Sequence, residues 1–199
     1  WQSTSSSLHK RKRDQEMNKI TKTILSIDVD WVGDPRTFKN LLKTVSPIIQ
    51  NSSFEKIVFS QCHKDIHHLI EDIKDPVYVV NIDHHHDIQY IETDPLHRGF
   101  LSGNWLGHYL IRKKVSGATW IANYNSATNN FQNWKDPNSI LIDDIIKIVY
   151  DLDEVNKHTY QYLFVCQSPH HSINNMSAFC AYEALLIMAR LFKKEIKVI

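Results

Sequence analysis

A three-layer α/β/α fold, with helices on both faces of a mostly parallel sheet, is what this sequence predicts, and three observations predict it. Short apolar, β-branched runs alternate along the chain with segments of helical period, the order that winds parallel strands through crossover helices. Two of the apolar runs end in acidic clusters, and in sheets of this kind ligands bind beyond the carboxyl ends of the strands. The 199 residues, 42% hydrophobic and 23% charged, suffice for one domain with a sizeable core.

Residues 1–16 are Ser-rich and then basic (His9-Lys10-Arg11-Lys12-Arg13), which reads as a disordered leader or an expression remnant. A nuclear or nucleic-acid arm is the alternative for that basic run. A single domain is expected over 17–199. Residues 23–29 form a β-branched strand. Residues 35–50 have helical period, with Phe38, Leu41, Leu42 and Val45 on one face. A short buried strand over 56–60 precedes a helix over 66–73 that turns Leu69, Ile70 and Ile73 inward. Residues 77–82 are the next strand, 104–113 a helix and 118–122 a strand. The Asn-rich stretch 126–139 is a surface loop, and 141–149 fits strand or helix equally. Residues 162–166 are a strand, and 176–194 a closing helix that buries Phe179, Leu186, Met188 and Leu191.

Composition narrows the function classes. A formal net charge of +1 gives no field that would draw the chain to nucleic acid or a membrane surface. Cys62, Cys166 and Cys180 are sparse, odd in number and without a CxxC pair, which points away from disulfides and zinc fingers and towards a reducing, cytoplasmic setting. No apolar run reaches the roughly 20 residues that span a bilayer. Twelve histidines are many for this length, and those from His63 to His86 cluster near the acidic runs.

The acidic runs carry the chemistry. Asn81-Ile82-Asp83-His84-His85-His86-Asp87 closes the strand 77–82, and strand alternation would turn Asp83, His85 and Asp87 one way and His84 and His86 the other. Ser26-Ile27-Asp28-Val29-Asp30 closes the strand 23–29. Two carboxylate-rich groups with imidazole and no thiolate suit a hard or borderline divalent ion, Mn²⁺ better than structural zinc. A solvated strand-end turn, or for Asp28 and Asp30 a helix N-cap region before Pro35, is the simpler alternative.

These residues resemble a known family. Asp83-His84-His85-His86-Asp87 looks like the DxHxD motif of the arginase, agmatinase and histone deacetylase superfamily. Ser26 to Pro35 is similar to the ureohydrolase motif SxDxDxxDP with one extra residue, placed before DxHxD as in a circularly permuted chain. His63, after the strand 56–60, matches the family's upstream His ligand, and Ser102-Gly103-Asn104 resembles its substrate-contacting SGN segment. The short, permuted branch that includes peptide arginases also shares Gly103-Asn104-Trp105 and Trp120 to Ser126. The resemblance implies an arginase-like catalytic domain over 17–199 and two bridged manganese ions held by Asp28, Asp30, His63, Asp83, His85 and Asp87. It implies substrate contacts from Ser102 and Asn104, proton relay by His108 with Asp87 at the reacting centre, and conversion of arginine in a precursor peptide to ornithine and urea. Two ions lower the pKa of a water between them, giving the strong nucleophile that a guanidinium carbon requires.

Several residues stay open. The acid that pairs with guanidinium has no clear motif, with Glu92, Asp94 and Glu183 as candidates. Ser168-Pro169-His170-His171 follows the strand 162–166 and so should reach the same sheet edge, either as a plain strand-to-loop turn or as a segment that supports the ligands or contacts substrate, with His170 or His171 able to move a proton. Trp105, Trp120 and Trp134 read as core or rim, His67 and His68 as exposed, and Asp143, Asp144, Asp151, Asp153 and Glu154 as solvated charge. Two other functions compete. Asp83-His84-His85 also resembles the DHH motif of a phosphoesterase family, in which His84 would be a ligand or phosphate contact. A metal-binding interaction module without catalysis is the third.

Overall fold

The computed structural model describes residues 21–88, 100–124, 126, 145–169, 175–193 and 195–199. Among these residues there are seven strands, β1 (Thr23–Asp28), β2 (Lys56–Ser60), β3 (Val77–Ile82), β4 (Val115–Ile121), β5 (Ile146–Val149), β6 (Tyr162–Cys166) and β7 (Lys197–Val198). The α-helices among them are α1 (Pro35–Asn51), α2 (His67–Ile70), α3 (Trp105–Ile111) and α4 (Met176–Phe192). The strands form one sheet in the order β5-β4-β3-β1-β6-β2-β7, and every paired neighbour is parallel. The central strands are buried along their whole length, as continuous apolar runs require when both faces are covered. One face carries α1 and α4, whose Leu41, Val45, Ile49, Ala181 and Leu185 pack with Leu25, Ile27 and Val165 of the sheet. The other carries α2 and α3, whose Leu69, Ile70, Leu106 and Tyr109 pack with Ile24, Val79 and Phe164. The expected three-layer α/β/α architecture is therefore present.

The start of α1 is specified locally. Asp34 Oδ1 accepts from the Thr37 amide at 2.8 Å, the Asp34 amide donates to Thr37 Oγ1 at 3.0 Å, and Pro35 occupies the first helical position. Asp34→Ala should destabilise the protein, read as a lower denaturant midpoint at unchanged slope.

Some elements differ from expectation. The segment 66–73 contains only one α-turn, α2, preceded by a 3-10 turn over His63–Ile66. β4 begins three residues earlier than its apolar stretch suggested, and the ambiguous 141–149 segment holds strand β5; residues 141–144 lie outside the described ones. α4 buries Ala178, Ala181, Tyr182, Leu185, Leu186 and Ala189, while Phe179 and Leu191 face solvent and Met188 is half-buried. Apolar residues surround that helix, so periodicity did not mark its inner face; small alanines face α1 instead. Glu154 is buried rather than solvated, its carboxylate held by Lys147 and Lys157 at 2.7 and 2.6 Å. No helix among the described residues is long and apolar enough to cross a membrane.

The strand order locates the site. After β1 the chain leaves for β2 on one side, and after β3 it leaves for β4 on the other, yet β1 and β3 are neighbours. Connections that diverge from adjacent strands open a crevice at their carboxyl ends. Asp28 and Ile82 end those two strands.

Candidate metal centre

At the end of β1 the chain makes a 3-10 turn, Val29–Trp31, capped by Asp28, whose Oδ1 accepts from the Asp30 amide at 3.1 Å. That turn leaves Asp28 Oδ2 and the Asp30 carboxylate facing the end of β3. There Asp83 is clamped by four contacts: its amide donates to Ile121 O, its carbonyl accepts from Trp120 Nε1 at 2.9 Å, Oδ1 accepts from the His85 amide at 2.8 Å and Oδ2 from Asn81 Nδ2 at 3.1 Å. The 3-10 turn after β2 delivers His63 into the same space, sandwiched between Phe164, stacked at 5.6 Å, and Trp105 at 5.0 Å.

The result is a buried constellation of four carboxylates and two imidazoles. His63 Nδ1 lies 3.2 Å from Asp28 Oδ2, 3.1 Å from Asp83 Oδ2 and 2.9 Å from Asp87 Oδ2. Its Nε2 is 2.9 Å from Ser26 Oγ, which fixes the ring with Nδ1 towards the acids. His85 Nδ1 lies 3.0 Å from Asp30 Oδ2 and 3.8 Å from Asp83 Oδ1. Two groups, Asp28/His63/Asp83 and Asp30/Asp83/His85, are each placed to hold a metal ion, and Asp83 belongs to both with one oxygen towards each imidazole.

Outer contacts hold the acids in place. Trp105 Nε1 donates to Asp87 Oδ2, and Ser168 Oγ donates to Asp28 Oδ2. Asp87 and Ser168 both have left-handed backbones, φ 55° and 44°, and the only other such non-glycine among the described residues is Lys113. Left-handed φ is costly outside glycine, and two of these three residues border the one cluster, where the surrounding contacts hold them. The Asp87 carbonyl accepts from the amides of Leu106 and Gly107 at 3.1 and 3.3 Å, tying the turn to the start of α3.

The donor set fits divalent cations on a further observation. Asp30 Oδ2 is buried, and its contact with His85 Nδ1 at 3.0 Å is an ion pair. A buried carboxylate oxygen held by one imidazole alone keeps acceptor capacity that a cation would satisfy. Cys166 lies beside Ser168, but burial and the Asp28 charge raise its thiol well above the ordinary value, so it stays protonated and outside the ligand set.

Electrostatics agree. Burial and the charges of Asp87 and Asp30 push Asp83 up to about 8, and burial with Asp30 raises Asp28 to about 6. Burial opposes charge on His63, yet the acid groups of Asp87, Asp28 and Asp83 outweigh it and hold the imidazole well above its usual value. The Asp30 carboxylate against its ring raises His85 to about 9. Without a metal the cluster therefore keeps protons at neutral pH, and a cation must displace them. Metal uptake should release protons, and apparent affinity should fall as pH drops from about 9 to about 6. Calorimetry in buffers of different ionisation heats measures the protons released.

The structure thus brings together Asp28, Asp30, His63, Asp83, His85 and Asp87, but not by strand alternation. β3 ends at Ile82, and Asp83 to Asp87 is a turn whose left-handed last residue folds its carboxylate back. His84 is not simply turned outward: its amide donates to Asp30 Oδ1 and its Nδ1–H to Asn123 Oδ1. His86 is buried against the Trp120 edge, and burial lowers it to about 4, so it is neutral. Asn104 is buried and its Oδ1 accepts from the Leu101 amide, closing the turn that contains half-buried Ser102. His108 sits on α3 with its ring against Phe100 at 5.6 Å. Glu183 is half-buried on α4; Glu92, Asp94, Trp134, Asp143, Asp144, His170 and His171 lie outside the described residues. The indoles of Trp105 and Trp120 were legible only as core or rim, although a fully buried indole N–H needs an acceptor, and here the acceptors are two site residues.

Beside the cluster lies a cavity of about 620 Å³, lined by the N-terminal half of α1 and by residues following β4 and β5, among them Trp31, Asn123, Tyr124, Tyr150 and Asp151. Asn123 stands in the wall between, bonded to His84 on one side and to the Trp31 carbonyl at 3.1 Å on the other. Tyr124 and Tyr150 are exposed and stacked at 6.5 Å. No protein-family model, curated protein or solved structure matches the chain.

Proposed function

We propose that this chain is a manganese-dependent hydrolase that converts arginine within a precursor peptide to ornithine and urea. The observation that carries the reading is Asp83, one buried carboxylate shared by two imidazole-containing ligand groups. When bound, a pair of divalent ions supplies Lewis-acid polarisation and an acidified water. Oxygen-rich groups with imidazole and without thiolate favour Mn²⁺ over structural zinc.

The chain's own residues account for the remaining requirements. Four carboxylate charges balance two divalent ions, and no lysine or arginine pairs with any of the four aspartates among the described residues. Such a site, neutral once two divalent ions are bound, admits a cationic guanidinium without repulsion. His84, which a DHH-type phosphoesterase needs as a ligand or phosphate contact, is instead engaged with Asn123 and belongs to neither ligand group. His85 has a side chain 35% exposed, so the second group opens to solvent while the first is sealed. The cavity on the far side of Asn123, lined by charges of both signs (Asp34, Arg36, Lys43, Asp151, Asp153) and by none of the six ligands, offers room for the rest of a longer substrate chain. Water adds to the guanidinium carbon, the bond to the side-chain nitrogen breaks, and that nitrogen leaves as the ornithine amine with a proton.

The test is mass spectrometry of arginine-containing peptides incubated with the Mn²⁺-loaded protein, alongside an Asp83→Ala control. Urea release with a peptide mass reduced by the amidino group, absent in the control, is the expected result. Full metal occupancy with no urea across a varied peptide set would sink the reading and favour a silent metal-binding module.

A further inference from the structure

A second group of ligating side chains lies outside the buried centre. Asp65, His67 and His68 each offer a ligand atom within 4.8 Å of the others, on the turn that runs from the end of β2 into α2. Neighbouring positions on a regular helix point apart. Here the 3-10 turn gives way to α-helix at His67, and the two imidazoles meet with ring centroids 3.8 Å apart. Asp65 and His67 are half-buried and His68 is exposed, so the group is open to solvent.

The surrounding bonds leave lone pairs free in the way a metal site needs. His67 Nδ1 is 3.0 Å from the Lys64 carbonyl, which can only accept; the ring therefore donates from Nδ1 and keeps the Nε2 lone pair. A backbone carbonyl fixing the tautomer is the usual support of a ligating histidine. Ser60 Oγ donates to Asp65 Oδ2 at 2.5 Å, which orients that carboxylate and leaves Oδ1 available.

We propose that Asp65, His67 and His68 form an additional, solvent-facing site for a borderline divalent cation of the zinc type. Two imidazoles and one carboxylate from the protein leave a fourth position for water. The ion would cross-link the first turn of α2 to the residue that follows Lys64, and His63 of the buried centre sits on that same turn. The site is independent of the proposed reaction.

Equilibrium dialysis against Zn²⁺, with total metal counted per chain, tests it. His67→Gln/His68→Gln keeps size and polarity at both positions and should carry one ion fewer than the wild type. Asp83→Asn, which disables the buried centre, should still lose one further ion when combined with the Gln pair. X-ray absorption at the zinc edge of Asp83→Asn should report two imidazole nitrogens. Equal metal counts with and without the Gln pair, or a zinc spectrum lacking imidazole, would overturn the proposal whatever the enzyme does.

Discussion

Asp83→Asn should remove metal-dependent turnover while leaving the metal-free fold intact. A substitution in an outer partner of a metal ligand costs about 10- to 100-fold, so loss of the ligand both groups share should exceed a hundredfold. The stability half of the prediction follows from charge. Without metal, Asp83 is raised to about 8, so near neutral pH its acid form prevails, and asparagine is the neutral mimic of that form. A carboxyl whose folded-state pKa lies above its unfolded value binds more protons when folded, so its contribution favours the fold least at high pH. Metal-free Asp83→Asn should therefore melt with the wild type near pH 4, increasingly above it as pH rises towards 8, and by a constant margin beyond that. Added Mn²⁺ separates the two proteins. At a hundred times the dissociation constant the wild type gains about 2.7 kcal/mol, roughly 5–10 °C for a chain of this size, and the variant gains nothing. A variant that still shifts with Mn²⁺ would show that Asp83 is not the shared ligand.

Trp105→Phe should separate the two buried indoles by what they hold. Trp105 donates to the Asp87 carboxylate, and a hydrogen bond to a buried charge contributes roughly 1.5–3 kcal/mol. Its loss also frees Asp87, whose left-handed backbone depends on its surroundings, so Mn²⁺ affinity should fall about 10- to 100-fold. Trp120→Phe removes a bond to the neutral Asp83 carbonyl, a contribution of about 1 kcal/mol, and should leave affinity within a fewfold. Thermal melts and metal titrations of both variants provide the comparison. Equal effects on affinity would mean that Asp87 is not held by its indole partner.

How much of this could be read from the sequence depends on which physical signal each residue carried. β2, β3 and β6 coincide with their expected bounds because buried parallel strands are continuous β-branched runs. Asp28, Asp30, Asp83, His85 and Asp87 were legible because they end or follow a strand, and a parallel sheet collects its strand ends on one edge; His63 was singled out by the resemblance to the family's upstream His ligand. The mode of convergence was not legible: alternation presumes that β3 continues, whereas a left-handed residue at Asp87 turns the chain. The supports Ser26, Asn81 and Asn123 carry no pattern of their own, since a polar residue near a strand end is ordinary until a neighbour needs it. Glu154 looked like solvated charge because its partners, Lys147 and Lys157, are brought to it only by the fold.

The place of β6 governs the order in which this protein can be assembled. β6 lies between β1 and β2, although both are synthesised long before it, and Ser168 reaches Asp28 across 140 residues of chain. Until residue 166 has left the ribosome, β1 and β2 each present an unpaired edge and cannot close on one another in their final register. Non-local parallel pairing of this kind is slow and exposes strand edges during folding. The floor under His63 is Phe164, another late arrival, so the pocket for the imidazole does not exist in a nascent chain. The His63 group can therefore take metal only once β6 is in place, and a chain truncated before β6 should aggregate rather than bind two ions.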